Sequence, residues 1–155
     1  MAFYYQHAQP STLFRAIAGV LIVFCPMLAI GLYFDGYDLT RLLLGLGVFI
    51  VVPMIILALF HALTVRVSAN WIEMSFGIGL IRKRIAIMDI ESSSDVTNRW
   101  YYGWGIRKIQ SGWMFNVSGF DAVEIRCGNG RRFRIGTDEP RKLLKAIESA
   151  TAAKA

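Results

Sequence analysis

Two uninterrupted apolar runs occupy the first part of the chain, and an alternating pattern replaces them after residue 63. Ala16 to Phe34 is 19 residues without a formal charge, and Leu42 to Leu63 is 22 residues in which only His61 can ionise. A helix of roughly 20 apolar residues crosses a hydrocarbon core about 30 Å thick. Both runs are rich in Leu, Ile, Val and Phe, whose insertion into a bilayer is favourable. They therefore predict two transmembrane helices, at about 16–34 and 42–63, joined by the short loop 35–41. Neither run carries the polar stripe of a helix lying on a soluble core. A cleaved signal would be shorter and end at small residues, whereas the first run ends in Gly31-Leu-Tyr-Phe34 and a second follows at once. Pro26 and Pro53 fall inside the spans, where they predict kinks.

The alternation after Leu63 predicts strands at Thr64–Ser68, Trp71–Phe76 and Ile81–Ile90, with Gly77-Ile-Gly79 as a turn. In the third strand Ile81, Ile85 and Ile87 share one face, and Arg82 and Arg84 share the other. The polar stretch Ser92–Thr97 reads as either a short strand or a loop. Residues 122–136 predict a hairpin with the three-residue loop Gly128-Asn129-Gly130, the last glycine left-handed. That register places Ile125 opposite Phe133 and Val123 opposite Ile135 on a buried face. It places Glu124 opposite Arg134 and Arg126 opposite Arg132 on an exposed face, the second pair repelling unless an anion meets it. Thr137-Asp138, Glu139 and Pro140 then predict a helix start. Leu143, Leu144, Ile147 and Ala150 make its apolar stripe, and 151–155 is a frayed tail. The fold class expected is an α+β membrane protein: a helical hairpin (1–63, with a polar-aromatic arm) followed by an antiparallel β barrel or sandwich (64–150) capped by a C-terminal helix.

Charge adds an orientation. The chain has net charge +6, and residues 64–155 carry 15 Lys/Arg against 9 Asp/Glu. Arg15 precedes the first span and Arg66, Arg82, Lys83 and Arg84 follow the second, while the loop holds two acids and one base. Positive charge is retained inside, so both termini are expected in the cytoplasm, with the basic domain beside the anionic inner leaflet. Cys25 and Cys127 are isolated thiols that predict small apolar side chains rather than a disulfide or metal site. His61 reads as an interfacial residue, since no Asp, Glu or Lys accompanies it in a span.

Three segments resemble, as a set, the bacterial pleckstrin-homology-like domain family in its small membrane-anchored form. They are Tyr102-Gly-Trp-Gly-Ile-Arg107, Gly112-Trp-Met-Phe-Asn-Val-Ser-Gly-Phe-Asp-Ala-Val-Glu-Ile125 and Arg132-Phe-Arg-Ile-Gly-Thr-Asp-Glu-Pro140. The resemblance implies two nearly orthogonal antiparallel sheets closed at one corner by the last helix, no catalytic activity, and a place in the bacterial inner membrane. Arg82-Lys83-Arg84 follows the second strand and does not match the family's lipid-binding spacing, so lipid specificity is not carried over.

Seven aromatics, Trp100, Tyr101, Tyr102, Trp104, Trp113, Phe115 and Phe120, crowd residues 99–120 among four glycines. Trp113 and Phe115 are expected in the core, and Trp100, Tyr101, Tyr102 and Trp104 on an interaction surface. Gly103-Trp-Gly105 lacks the third glycine and the helix of a dinucleotide site. Basic and aromatic interleaving also suits single-stranded nucleic acid, but a domain starting at a membrane takes its charge more simply from anionic lipid, so no nucleic-acid partner is expected. Asn116-Val-Ser118 is a glycosylation sequence with no role in a cytoplasmic domain. With two histidines, no metalloprotease motif and no paired carboxylates, neither an enzyme nor a cofactor is expected.

Two surfaces remain as candidates. The first is an anionic-lipid surface of Arg82, Lys83, Arg84, Arg126, Arg132 and Arg134. The second is a surface of Trp100, Tyr101, Tyr102 and Trp104 for a membrane-protein partner or a second copy. They correspond to a membrane-anchored scaffold, a head-group sensor, or an accessory subunit of a transporter or envelope enzyme.

Overall fold

The computed structural model describes residues 3–34 and 38–153. The chain begins in a strand, β1 (Phe3–Pro10), and passes through Ser11 into α1 (Thr12–Phe34). Asp38 caps α2 (Leu39–Phe60), and after His61 alone the chain enters β2 (Ala62–Ser68). β1 and β2 are antiparallel partners, with Gln6 opposite Arg66 and Pro10 opposite Ala62. The helical pair is thus the connection of a β-hairpin. The polar-aromatic arm is the first strand of the sheet. Its alternation turns Tyr5, His7 and Gln9 inward while Tyr4, Gln6 and Ala8 are exposed.

Both helices are long and apolar enough to cross a membrane, and the rest of the chain fully buries almost none of their side chains. The second apolar run is two elements. The helix stops at Phe60, and Leu63 is instead 1% exposed in the β core. Residues 35–37 of the expected outer loop lie outside the described residues.

β1 and β2 continue into β3 (Trp71–Phe76) and β4 (Ile81–Ala86), giving one sheet in the order β1-β2-β3-β4. The strand expected to run to Ile90 breaks at Ala86. A 3-10 turn at Ile87–Asp89 keeps Ile87 buried and redirects the chain into β5 (Ile90–Thr97). This polar stretch is a strand because it is an edge, where short polar sequence discourages pairing with other chains. A second 3-10 turn, Trp100–Tyr102, leads to β6 (Gly105–Ile109), β7 (Gly112–Asn116), β8 (Asp121–Cys127) and β9 (Arg132–Gly136). The second sheet has the order β5-β8-β9-β7-β6. β7 and β9 run parallel, so the all-antiparallel expectation does not hold, and the sheets form no closed barrel.

The β8–β9 hairpin has the expected register at all four pairs. The Cys127 amide donates to Arg131 O, the Gly130 amide donates to Cys127 O, and Gly130 has φ +79°. The last helix, α3 (Pro140–Ala152), starts without a side-chain cap; Thr137 Oγ1 instead accepts the Glu139 amide. Its buried row is Leu143, Ala146, Ile147 and Ala150, with Leu144 partly covered, and Thr151 and Ala152 of the expected tail belong to it. One continuous core joins Val67, Ile72 and Met74 of the first sheet to Val123, Ile125 and Ile135 of the second and to this helical face. Helix α3 covers the side bounded by β1 and β5.

The sheets are fastened directly to the helical base. The Ser11 amide donates to His61 O at 2.8 Å, and Ser11 Oγ donates to Val117 O and accepts the Phe14 amide as the cap of α1. Gln9 and Pro10 are hydrogen-bonded to Ser118 in the β7–β8 loop. Phe60 stacks on Phe14 and meets the edge of Phe76.

Candidate functional site

The six cations grouped from the sequence do not form one surface. Period two puts Arg82 and Arg84 on the outer face of β4 but Lys83 on the inner face, in line with Ile81 and Ile85. Arg84 Nε donates to Glu73 on the neighbouring strand, and its guanidinium lies 5.3 Å from the Trp71 ring. Arg66 approaches the same carboxylate at 3.4 Å. Glu73 is accordingly held below the usual carboxylate range, chiefly by the Arg84 hydrogen bond. Arg82 Nε donates to Gly79 O and braces the β3–β4 turn.

On the second sheet the Glu124–Arg134 pair is buried rather than exposed. Arg134 places Nη2 at 2.7 Å and Nε at 3.2 Å from one Glu124 oxygen. The side chains retain only 6% and 13% of their exposure. Their cover is the segment 98–104: Asn98 Oδ1 accepts from Arg134 Nη1, and the Tyr102 ring lies 5.9 Å from the guanidinium. Burial by itself pushes the Glu124 carboxyl up, but the Arg134 hydrogen bonds and charge, aided by Arg126 and Arg132, leave it below the ordinary range. Arg126 stands opposite Arg132 as expected, and its approach to Glu124 at 3.6 Å relieves part of their repulsion.

The aromatic residues separate differently from expectation. Trp100 is 78% and Tyr101 53% exposed, and Phe115 is buried, all as expected. Trp113, expected in the core, is 47% exposed. It occupies the inner row of β7 at the corner of the sandwich away from α3, where β4 presents Lys83 instead of an apolar side chain. Tyr102 and Trp104 are only half-exposed, the first above Arg134 and the second against Phe120. Arg99 Nη1 donates to Tyr101 Oη at 2.6 Å, so the exposed pair is held by its neighbours.

That uncovered corner holds a cleft of about 280 Å³ lined by Lys83, Ile106, Trp113, Phe115, Arg131 and Phe133. Lys83 Nζ is 5.9 Å from the Phe133 ring centre, and neither Lys83 nor Arg131 has a carboxylate within ion-pair distance among the described residues. The cleft was legible in part: counting by twos from Ile81 places Lys83 inward. Arg131 carried no such signal, because its place depends on the hairpin loop. Among the described residues no three His, Cys, Asp or Glu side chains gather as metal ligands. Cys127 is buried, and burial pushes its thiol up, away from reactivity. Compared with family models, curated proteins and solved structures, the chain has no match.

Proposed function

We propose that the chain is a non-enzymatic scaffold of the inner membrane, in which α1 and α2 cross the bilayer and hold a pleckstrin-homology-like domain on the cytoplasmic side. Two long apolar helices with uncovered flanks support the anchor, and the charge asymmetry of the chain supports the orientation. The observation that carries the scaffold reading is the Trp100–Tyr101 pair. Large aromatics exposed on a segment fixed by Arg99 and Arg134 offer contact area at little entropic cost, as anchors of protein interfaces do.

A photo-crosslinking residue in place of Trp100, in the full chain in native membranes, should give a discrete crosslinked species. The same group in place of the equally exposed Met88 should not. A full-length protein that is monomeric in mild detergent and yields no species specific to position 100 would remove the scaffold reading. A second reading, recognition of an anionic head group, is favoured by Lys83 and Arg131, which have no ion-pair partner among the described residues and line a cleft with an aromatic floor. Native mass spectrometry of the same preparation reads it: anionic lipid retained by the full chain should be lost on Lys83→Glu with Arg131→Glu.

A further inference from the structure

The β3–β4 turn is bound to the end of a helix that has the length of a membrane span. Ile78 donates its amide to Ala58 O at 3.1 Å, and Gly77 donates to Ala62 O. Gly77 has φ +49°, and a Cβ there would land on the carbonyl oxygens of Ala58 and Leu59. The turn therefore does not hang below α2; it lies alongside its last turn, with Ile78 level with Ala58. From Leu39 to Ala58 the helix rises about 30 Å at 1.5 Å per residue, the thickness of a hydrocarbon core. Helix α1 marks the same level independently. Ser11 and His61 are paired at the base, and Arg15, four residues on, stands about 6 Å higher. It is the one charge of α1, and it is exposed.

At this level the turn presents two large apolar side chains to the surroundings, Ile78 at 62% and Leu80 at 74% exposure. Neither belongs to the domain's core or packs against it, and Ile78 adjoins the last turn of α2. Beside them the exposed Arg82 is tethered to Gly79 O. Apolar tips flanked by a cation suit the boundary between acyl chains and head groups, where long basic side chains reach out to phosphate.

We propose that the β3–β4 turn is a wedge inserted in the bilayer interface: Ile78 and Leu80 enter the acyl boundary beside α2, and Arg82 and Arg15 meet lipid phosphates at the same depth. The occupant is the membrane itself, because the wedge is continuous with the flank of α2. The inference rests on α1 and α2 spanning a bilayer. It adds that the sheet domain is sunk into the leaflet instead of being held off it, with its sheets fixed in orientation to the membrane plane.

The test uses the full chain in nanodiscs, with Cys25→Ala and Cys127→Ala as background and a fluorophore at one new cysteine. Ile78→Cys and Leu80→Cys report the wedge, Val48→Cys reports the span, and Met88→Cys, beyond the other end of β4, reports solvent. Lipids with a quencher near the head group should dim positions 78 and 80 by about twofold, as expected for side chains roughly 5–10 Å into the boundary, and leave position 88 unchanged. A deeply placed quencher should dim position 48. Quenching at 48 while 78 and 80 behave like 88 overturns the wedge and leaves the anchor standing. No quenching at 48 overturns both. Shielding of 78 and 80 that ignores the quencher and disappears on dilution assigns the turn to a second copy and overturns the wedge.

Discussion

Glu124 and Arg134 show what one residue pair contributes when its cover comes from elsewhere in the chain. Both side chains are nearly out of solvent, so removing one partner strands the other charge, a loss of roughly 3–5 kcal/mol for buried pairs. Glu124→Gln should lower stability by about that amount at neutral pH, measured by denaturant unfolding of the detergent-solubilised chain. Acid should weaken the wild-type fold through the same residue and Glu73. Both carboxyls titrate lower in the fold than in the open chain, so between the two values the unfolded state binds more protons. Their stabilisation is complete above the unfolded carboxylate pKa of about 4.3 and fades as pH falls through the folded value. Glu124→Gln should therefore show a shallower acid loss than the native chain, and an equal slope would exclude Glu124 as a contributor. The pairing was legible in the hairpin arithmetic, since loop length and period two fix who faces whom. Its burial was not legible, because the cover is supplied by Asn98 and Tyr102, whose position over the sheet depends on tertiary packing.

Among elements, the β3–β4 turn most clearly joins the two parts of the molecule. Gly77 combines a left-handed backbone with the close passage of α2, so Gly77→Val adds strain of a few kcal/mol from the backbone and a clash with the Ala58 carbonyl. Its expected effect is loss of amide protection at Ile78, read by hydrogen exchange, together with a lower unfolding temperature. Retained protection would show that the turn can leave the helix without consequence. The turn was predicted from Gly77-Ile-Gly79, but its docking was not, because continuous hydrophobicity conceals where a span ends and a buried strand begins. Leu59 and Leu63 read alike in composition, yet one lies in the last turn of a helix and the other fills a β core. Strand β5 was ambiguous for the opposite reason: an edge covered in part by α3 does not need the apolar alternation of a central strand.

For the whole molecule, β1 changes where the domain starts. Residues 64–150 alone would lack the strand that pairs with β2 and the His7 contact to Asp138 at 2.7 Å. Deleting residues 1–10 should leave β2 as an open edge, with faster exchange at its β1-facing amides and a tendency to pair with other chains. Unchanged exchange there would show that β1 contributes nothing to the sheet. The apolar runs and the closing helix were evident from periodicity. The strand before the first helix and the parallel β7–β9 contact were not, because both depend on partners distant in the chain and no local pattern encodes which strands become neighbours.

The helical hairpin set between β1 and β2 also imposes an order of events during synthesis. β1 leaves the ribosome before β2, and some fifty residues lie between them, which on the proposed topology enter the bilayer. On that topology the strands pair only once both helices have crossed, since a chain with a single helix inserted would hold Gln6 and Arg66, partners in the sheet, on opposite sides of the membrane. Such a mis-threaded molecule would leave the facing edges of β1 and β2 unpaired. On the proposed topology, a completed first sheet would therefore mark a molecule whose two helices are both threaded.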